Sequence, residues 1–188
     1  MMVRLDFGGR AGRARALRVD RLPREGVQIL ADLRPDLPFR DESVDEVFLD
    51  RTLAHVDDFV GTLEELWRIS KPGALIHLRL PHGSSSWAVA RDPRHSRPYA
   101  LETFNYFDPR YRSDECGSRA AFRVEQCRLH VAGARGQARG LALARGLFAT
   151  AVERLVNQSR GMQYRWERWF APLIGGFEEL SVVLSVLK

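Results

Sequence analysis

The sequence predicts an α/β fold with a doubly wound, mostly parallel sheet, and three observations carry that prediction. Short apolar segments in the first half end on glycine, aspartate or proline turns. An amphipathic helix with start and stop signals lies between two of them. Two further strand candidates, Ala121–Ala132 and Leu180–Leu187, lie in the second half of the chain. Strands that alternate with helices favour a parallel sheet.

Val3–Phe7 reads as a first strand running into Gly8-Gly9-Arg10-Ala11-Gly12. Ala16–Val19 is a second, ended by Asp20 and the turn Pro23-Arg24-Glu25-Gly26, and Val27–Ala31 is a third, ended by Asp32. Val44–Leu49 follows the polar turn Arg40-Asp41-Glu42-Ser43. Asp57 or Asp58 caps a helix to about Ser70, since Phe59, Leu63, Leu66 and Ile69 recur at three- and four-residue steps. Lys71-Pro72-Gly73 stops that helix. Ala74–Leu80 reads as a nearly continuous apolar strand suited to the middle of a sheet. Beyond a polar loop, Pro81–Pro98, and an aromatic-rich stretch, Tyr99–Phe107, the pattern gives a strand at Ala121–Ala132 and a helix at Gln137–Gln158. That helix has Leu141, Ala144, Phe148, Val152 and Leu155 on one face. Leu180–Leu187 is a terminal strand, expected to form an antiparallel hairpin with Ala121–Ala132.

Only Gly8 to Arg15 separates the first two strands. A parallel crossover takes about a dozen residues or more, so the first crossover helix is expected to be shortened or absent. In open sheets of this kind ligands bind beyond the carboxyl ends of the strands. Gly8–Gly12, Asp20, Asp32, Leu49–Arg51 and Pro81–Ser86 therefore share one rim.

The chain of 188 residues suits one domain, 45% apolar and 28% charged. No run of ~18 apolar residues offers a membrane span, and the N-terminus does not read as a signal peptide. The two cysteines suggest neither a disulfide framework nor a metal site, and the five histidines do not fall at zinc spacings. A cytoplasmic protein is expected. The net charge is +5, and Lys71 and Lys188 are the only lysines among 29 basic residues. The arginines are spread along the chain, and no aromatic-plus-basic module points to nucleic acid.

Leu5-Asp6-Phe7-Gly8-Gly9-Arg10-Ala11-Gly12 resembles the first motif of the class I methyltransferases, an acid before a G-x-G-x-G loop, with Arg10 at the central glycine. Val19-Asp20 resembles the second motif, Asp32-Leu33 the adenine-contacting one, and Leu53-Ala54-His55-Val56 the family's L-E-H-V with Ala54 replacing the glutamate. Arg68–Gly73 resembles R-V-L-K-P-G. Pro81–Ser85, Asp92-Pro93-Arg94-His95 and Phe104–Asp108 are similar to the downstream part of a small bacterial branch of type 11 methyltransferases. The resemblance implies a Rossmann-like sheet, S-adenosylmethionine as cofactor and S-adenosylhomocysteine as product. It implies cofactor contacts at Asp6, Gly8, Gly9, Gly12, Asp20, Asp32, Leu33 and Leu49.

Each residue also has a structural reading. Asp20 holds ribose hydroxyls or starts a turn; Asp32 meets adenine or ends a strand. His82 and His55 are the candidate bases for removing an acceptor proton; the structural alternative for His55 is a histidine in a short helix. His95, Tyr99 and Tyr106 line a substrate pocket or belong to a turn and the core. The arginines of Gly133–Arg160 sit on a helix covering the sheet or lie on an anionic membrane.

The expected activity is methyl transfer to a hydroxyl or amine of a small molecule or saccharide, without a metal. The alternative is a catalytically degenerate methyltransferase-like protein, a binding or partner subunit, motivated by Arg10, Ala54 and the short first crossover. An assembly of like copies or with a partner protein is open under both.

Overall fold

The computed structural model describes residues 2–8, 15–90, 92–111, 117–131, 141–174 and 176–188, with the side chains of 141–145, 172 and 174 excepted. Seven strands form one sheet: β1 (Arg4–Phe7), β2 (Leu17–Asp20), β3 (Ile29–Leu30), β4 (Val44–Asp50), β5 (Ser70–Pro81), β6 (Ala121–Val131) and β7 (Phe177–Leu187). Their order is β3-β2-β1-β4-β5-β7-β6. The first five are parallel, and β7 pairs antiparallel with both β5 and β6. The expected C-terminal hairpin is therefore present, with β7 inserted between its partner and β5.

Residues 8–16 alone join β1 to β2, and residues 21–28 join β2 to β3 without a helix. The chain from β3 to β4 has no helix either. Among the described residues the first helix to link parallel strands is α1 (Phe59–Ile69), between β4 and β5; residues 9–14, where the shortened crossover is expected, lie outside them. Asp58 caps it by accepting from the Gly61 N–H at 2.9 Å, a contact of about 1 kcal/mol. Phe59, Leu63, Leu66 and Ile69 are all buried, each contributing about 1.5–3 kcal/mol of transfer free energy.

This short winding shapes the sheet. Along β5, Ala74, Ile76, Leu78 and Leu80 are buried, while Leu75, His77 and Arg79 are only half-buried. The expectation of a continuously buried strand is thus corrected to alternation, the signature of a sheet with unequal faces. The second face carries polar ladders across the register. Arg4 pairs with Glu46 at 2.8 Å, Glu46 meets His77 at 2.9 Å, and the His77 ring stacks on Phe48 at 4.7 Å. Arg79 reaches Asp50 at 3.3 Å and also bonds Glu179, which Arg51 engages through Nε at 2.9 Å.

β5 begins at Ser70, where it pairs with Val44 across a register shift, earlier than the expected Ala74. Gly73 there has a φ of 77°, a backbone that glycine adopts readily. The loop after β5 contains a short helix, α2 (Ser86–Ala90). The aromatic stretch folds as a 3-10 turn, Thr103–Phe107, with Phe104 and Phe107 in the core.

Helices α3 (Leu141–Val156) and α4 (Arg160–Arg165) follow β6, and a π-helical turn, Trp166–Phe170, continues α4. The buried side of α3 is Ala149, Val152 and Val156, whereas Phe148 and Leu155 are exposed. The expected stripe is therefore rotated by about one position. Asn157 fixes this end of the helix by donating to the Leu129 carbonyl and accepting from the Leu129 N–H.

Candidate functional site

The strand order reverses between β1 and β4: β2 and β3 lie to one side of β1, β4 and β5 to the other. In open sheets that reversal leaves a crevice at the carboxyl ends. Here it holds a cleft of about 740 Å³. Phe7 and Gly8 line it from β1, Val19 to Arg21 from β2, and Ala31 to Pro35 from the segment after β3. Thr52 and His55 to Asp58 come from the turn after β4, and Pro93 to Ser96 close the side.

The floor is set by Gly8. Its φ is 69°, and a Cβ there would lie 2.7 Å from Thr52 Oγ1. Thr52 Oγ1 donates to the Phe7 carbonyl at 2.8 Å, so the clashing atom is fixed. The Gly8 N–H donates to the Val19 carbonyl at 3.0 Å, tying the ends of β1 and β2 together. Arg51 enters the turn after β4 in the left-handed region, φ 61°.

Asp20 faces the cleft at the end of β2. Its Oδ1 accepts from the Leu22 N–H at 3.0 Å, and Arg24 stands 3.6 Å from Oδ2. The turn role is thus present together with the rim position. Asp32 and Leu33 line the same cleft, Leu33 being buried. Asp6 and Leu49 are buried and do not line it. Gly9, Arg10 and Gly12 lie outside the described residues.

The candidate bases separate. His55 and His95 line the cleft, with ring centroids 5.1 Å apart. Loss of water around His55 pushes its pKa below the ordinary value; its contact with the Arg94 carbonyl opposes this, and the neighbouring His95 adds to it.

His82 is elsewhere and only 1% exposed. Its Nδ1 accepts from the Ser84 N–H at 3.1 Å and lies 2.8 Å from Ser84 Oγ, while Nε2 lies 2.8 Å from Glu167. With Nδ1 taken, Nε2 is the donor to the carboxylate. Both nitrogens are committed within the protein. Tyr99 is also outside the cleft: it is fully buried, donates to the Leu53 carbonyl at 3.0 Å, and burial pushes its pKa up to about 12. Tyr106 is 42% exposed, packed edge-on to Phe107, and does not line the cleft.

Sequence reasoning missed Thr52, whose position only the turn after β4 reveals. It also missed Glu167 as the partner of His82, 85 residues away, for which the chain carries no local signal.

Residues 11–78 match the family model described as a methyltransferase domain. Over the full chain the fold has solved counterparts, all at low identity. A complex between the Haloferax volcanii Trm112 methyltransferase activator and a methyltransferase matches at a TM-score of 0.59 and 17% identity. That match covers 100% of this chain and 83% of the other. The YcgJ protein from Bacillus subtilis matches at 0.55 and 15%, covering 100% and 92%. A SAM dependent methyltransferase from Archaeoglobus fulgidus matches at 0.53 and 16%, covering 98% and 86%.

This is the class I methyltransferase fold. No curated protein matches the chain. The cleft lies at the β1/β4 reversal, where open sheets of this kind form a ligand crevice. No helix among the described residues is long and apolar enough to cross a membrane.

Proposed function

We propose that this chain is an S-adenosylmethionine-dependent methyltransferase acting on a hydroxyl or amine of a small molecule or saccharide, in the cytoplasm. The observation that supports it most is the 740 Å³ cleft at the strand reversal, which brings Gly8, Asp20, Asp32 and Leu33 to one surface. The residues present suit the cofactor. The Asp20 carboxylate offers acceptor capacity to ribose hydroxyls, Leu33 an apolar surface for adenine, and the side-chain-free Gly8 a close backbone approach. S-adenosylmethionine would supply an electrophilic methyl group.

The chain's own contributions are binding, orientation and exclusion of water. His55 is the proposed group for holding the acceptor's proton, because it stands in the cleft and His82 does not. Its depressed pKa leaves the imidazole unprotonated, and hence able to accept a proton, at neutral pH. Labelled methyl transfer from S-adenosylmethionine to hydroxylated saccharides and small amines tests the reading. It predicts transfer that Asp20→Ala weakens through the cofactor KM and His55→Ala through kcat.

A second reading is favoured by the short link of residues 8–16: a methyltransferase-like chain that serves as a binding or partner subunit. The Haloferax relative is described in a complex with an activator protein, which makes an unlike partner a concrete alternative. Failure of the chain to bind either cofactor or product would support this reading.

A further inference from the structure

His55, Asp92 and His95 each offer one ligand atom, and these atoms lie within 4.8 Å of one another. The sequence hides this grouping: His55 and Asp92 are 37 positions apart, and only the fold closes that gap. His55 belongs to the turn after β4 and His95 to the loop after α2.

The environment of each ring indicates which nitrogen carries the proton. His95 Nδ1 lies 3.1 Å from the Val89 carbonyl, and His55 Nδ1 lies 3.5 Å from the Arg94 carbonyl. A carbonyl oxygen only accepts, so each Nδ1 is the protonated nitrogen and each Nε2 keeps its lone pair. Donation of the far N–H to a backbone carbonyl is the arrangement that orients metal-binding histidines and fixes their tautomer. The Asp92 carboxylate is held by the Arg94 backbone N–H at 3.1 Å and by the Arg94 guanidinium at 3.0 and 2.8 Å. The Arg94 side chain is 68% exposed, so the guanidinium has solvent to move into.

We propose that His55, Asp92 and His95 form a site for a divalent transition-metal ion at the edge of the cleft. Two imidazoles and one carboxylate suit zinc, cobalt or iron(II) far better than magnesium or calcium, which take oxygen ligands. Metal–nitrogen bonds of about 2.0–2.1 Å require the three groups to draw together, by side-chain rotation at these partly exposed positions. Three protein ligands leave coordination positions open. His55 and His95 line the cleft, so those positions are within reach of an acceptor oxygen. A cation there would lower the pKa of such an oxygen and replace His55 in handling its proton. That consequence rests on the methyltransferase reading; the metal site does not.

The test is titration of the native chain with Co²⁺ and Zn²⁺, followed by calorimetry and by the visible Co²⁺ spectrum, without S-adenosylmethionine. One equivalent should bind, with a Co²⁺ absorption band that Zn²⁺ abolishes. His55→Ala, His95→Ala and the milder His95→Gln should each weaken binding more than about tenfold, with unchanged circular dichroism. His77→Gln, on the open sheet face, should bind as the native chain does. No binding by the native chain, or binding that the three cleft variants leave intact, would overturn the proposal. Cofactor titration of the same protein reports separately on the methyltransferase reading.

Discussion

Thr52 Oγ1 stands 2.7 Å from where a Cβ on Gly8 would lie, held there by its bond to the Phe7 carbonyl. The end of β1 and the turn after β4 are thereby locked across the cleft floor, and glycine is required twice over, for space and for its φ of 69°.

Gly8→Ala is expected to lower stability by about 1–2 kcal/mol from the left-handed backbone alone, with the Thr52 contact added. Gly8→Ala/Thr52→Ala should recover only the contact part. Urea unfolding of both variants, of Thr52→Ala, which by itself reports the loss of the bond to the Phe7 carbonyl, and of the wild type separates the two contributions.

His82→Ala is expected to cost about 1–3 kcal/mol, because it removes a side chain only 1% exposed together with its bonds to the half-buried Ser84 and Glu167. Cofactor affinity should be unchanged, since His82 does not line the cleft. Denaturant melts and cofactor calorimetry on one sample check both halves; a loss of affinity with intact stability would return His82 to the site.

Asp108 joins the 3-10 turn to β6. It is 1% exposed and accepts from the Val124 N–H at 3.0 Å and from Arg110. Burial raises its pKa, but Arg110 and the backbone donors more than offset this and hold it at about 2. A carboxylate depressed from 3.8 when folded contributes stability that is fully present above pH 4. That stability is lost as pH falls toward 2. Asp108→Asn should be less stable than the native chain at pH 7, with the gap narrowing through that window. Thermal melts from pH 7 to 2 read it directly.

Glu179 binds both Arg51 and Arg79 from β7. Burial opposes its charge, and the two guanidinium groups overcome that and lower its pKa. Glu179→Gln should destabilise the chain and loosen the Arg51 turn at the cleft. Hydrogen exchange at the Arg51 N–H, which bonds the Arg79 carbonyl at 2.8 Å, should accelerate.

The strands and α1 were legible because their signals are local: Asp58 before an apolar period, Lys71-Pro72-Gly73 after it, aspartates at strand ends. The helix-free links after β2 and β3 left no mark in the sequence reading, and the shortened first crossover expected from the strand spacing falls at residues 9–14, outside the described residues. The polar face of β5 was written as alternation in Leu75, His77 and Arg79, yet it read as continuous because leucine at 75 blurs the period. The site was half legible. Strand-end residues Asp20 and Asp32 follow from topology, whereas the fates of His55 and His82 depend on Arg94, His95 and Glu167, which only packing brings near.

The proposed function requires a cofactor site at the β1/β4 reversal. Calorimetric titration of the purified chain with S-adenosylmethionine and S-adenosylhomocysteine tests it most directly. Micromolar binding that Asp20→Ala weakens is the predicted result. Absence of binding at millimolar ligand would contradict it and favour the partner-subunit reading.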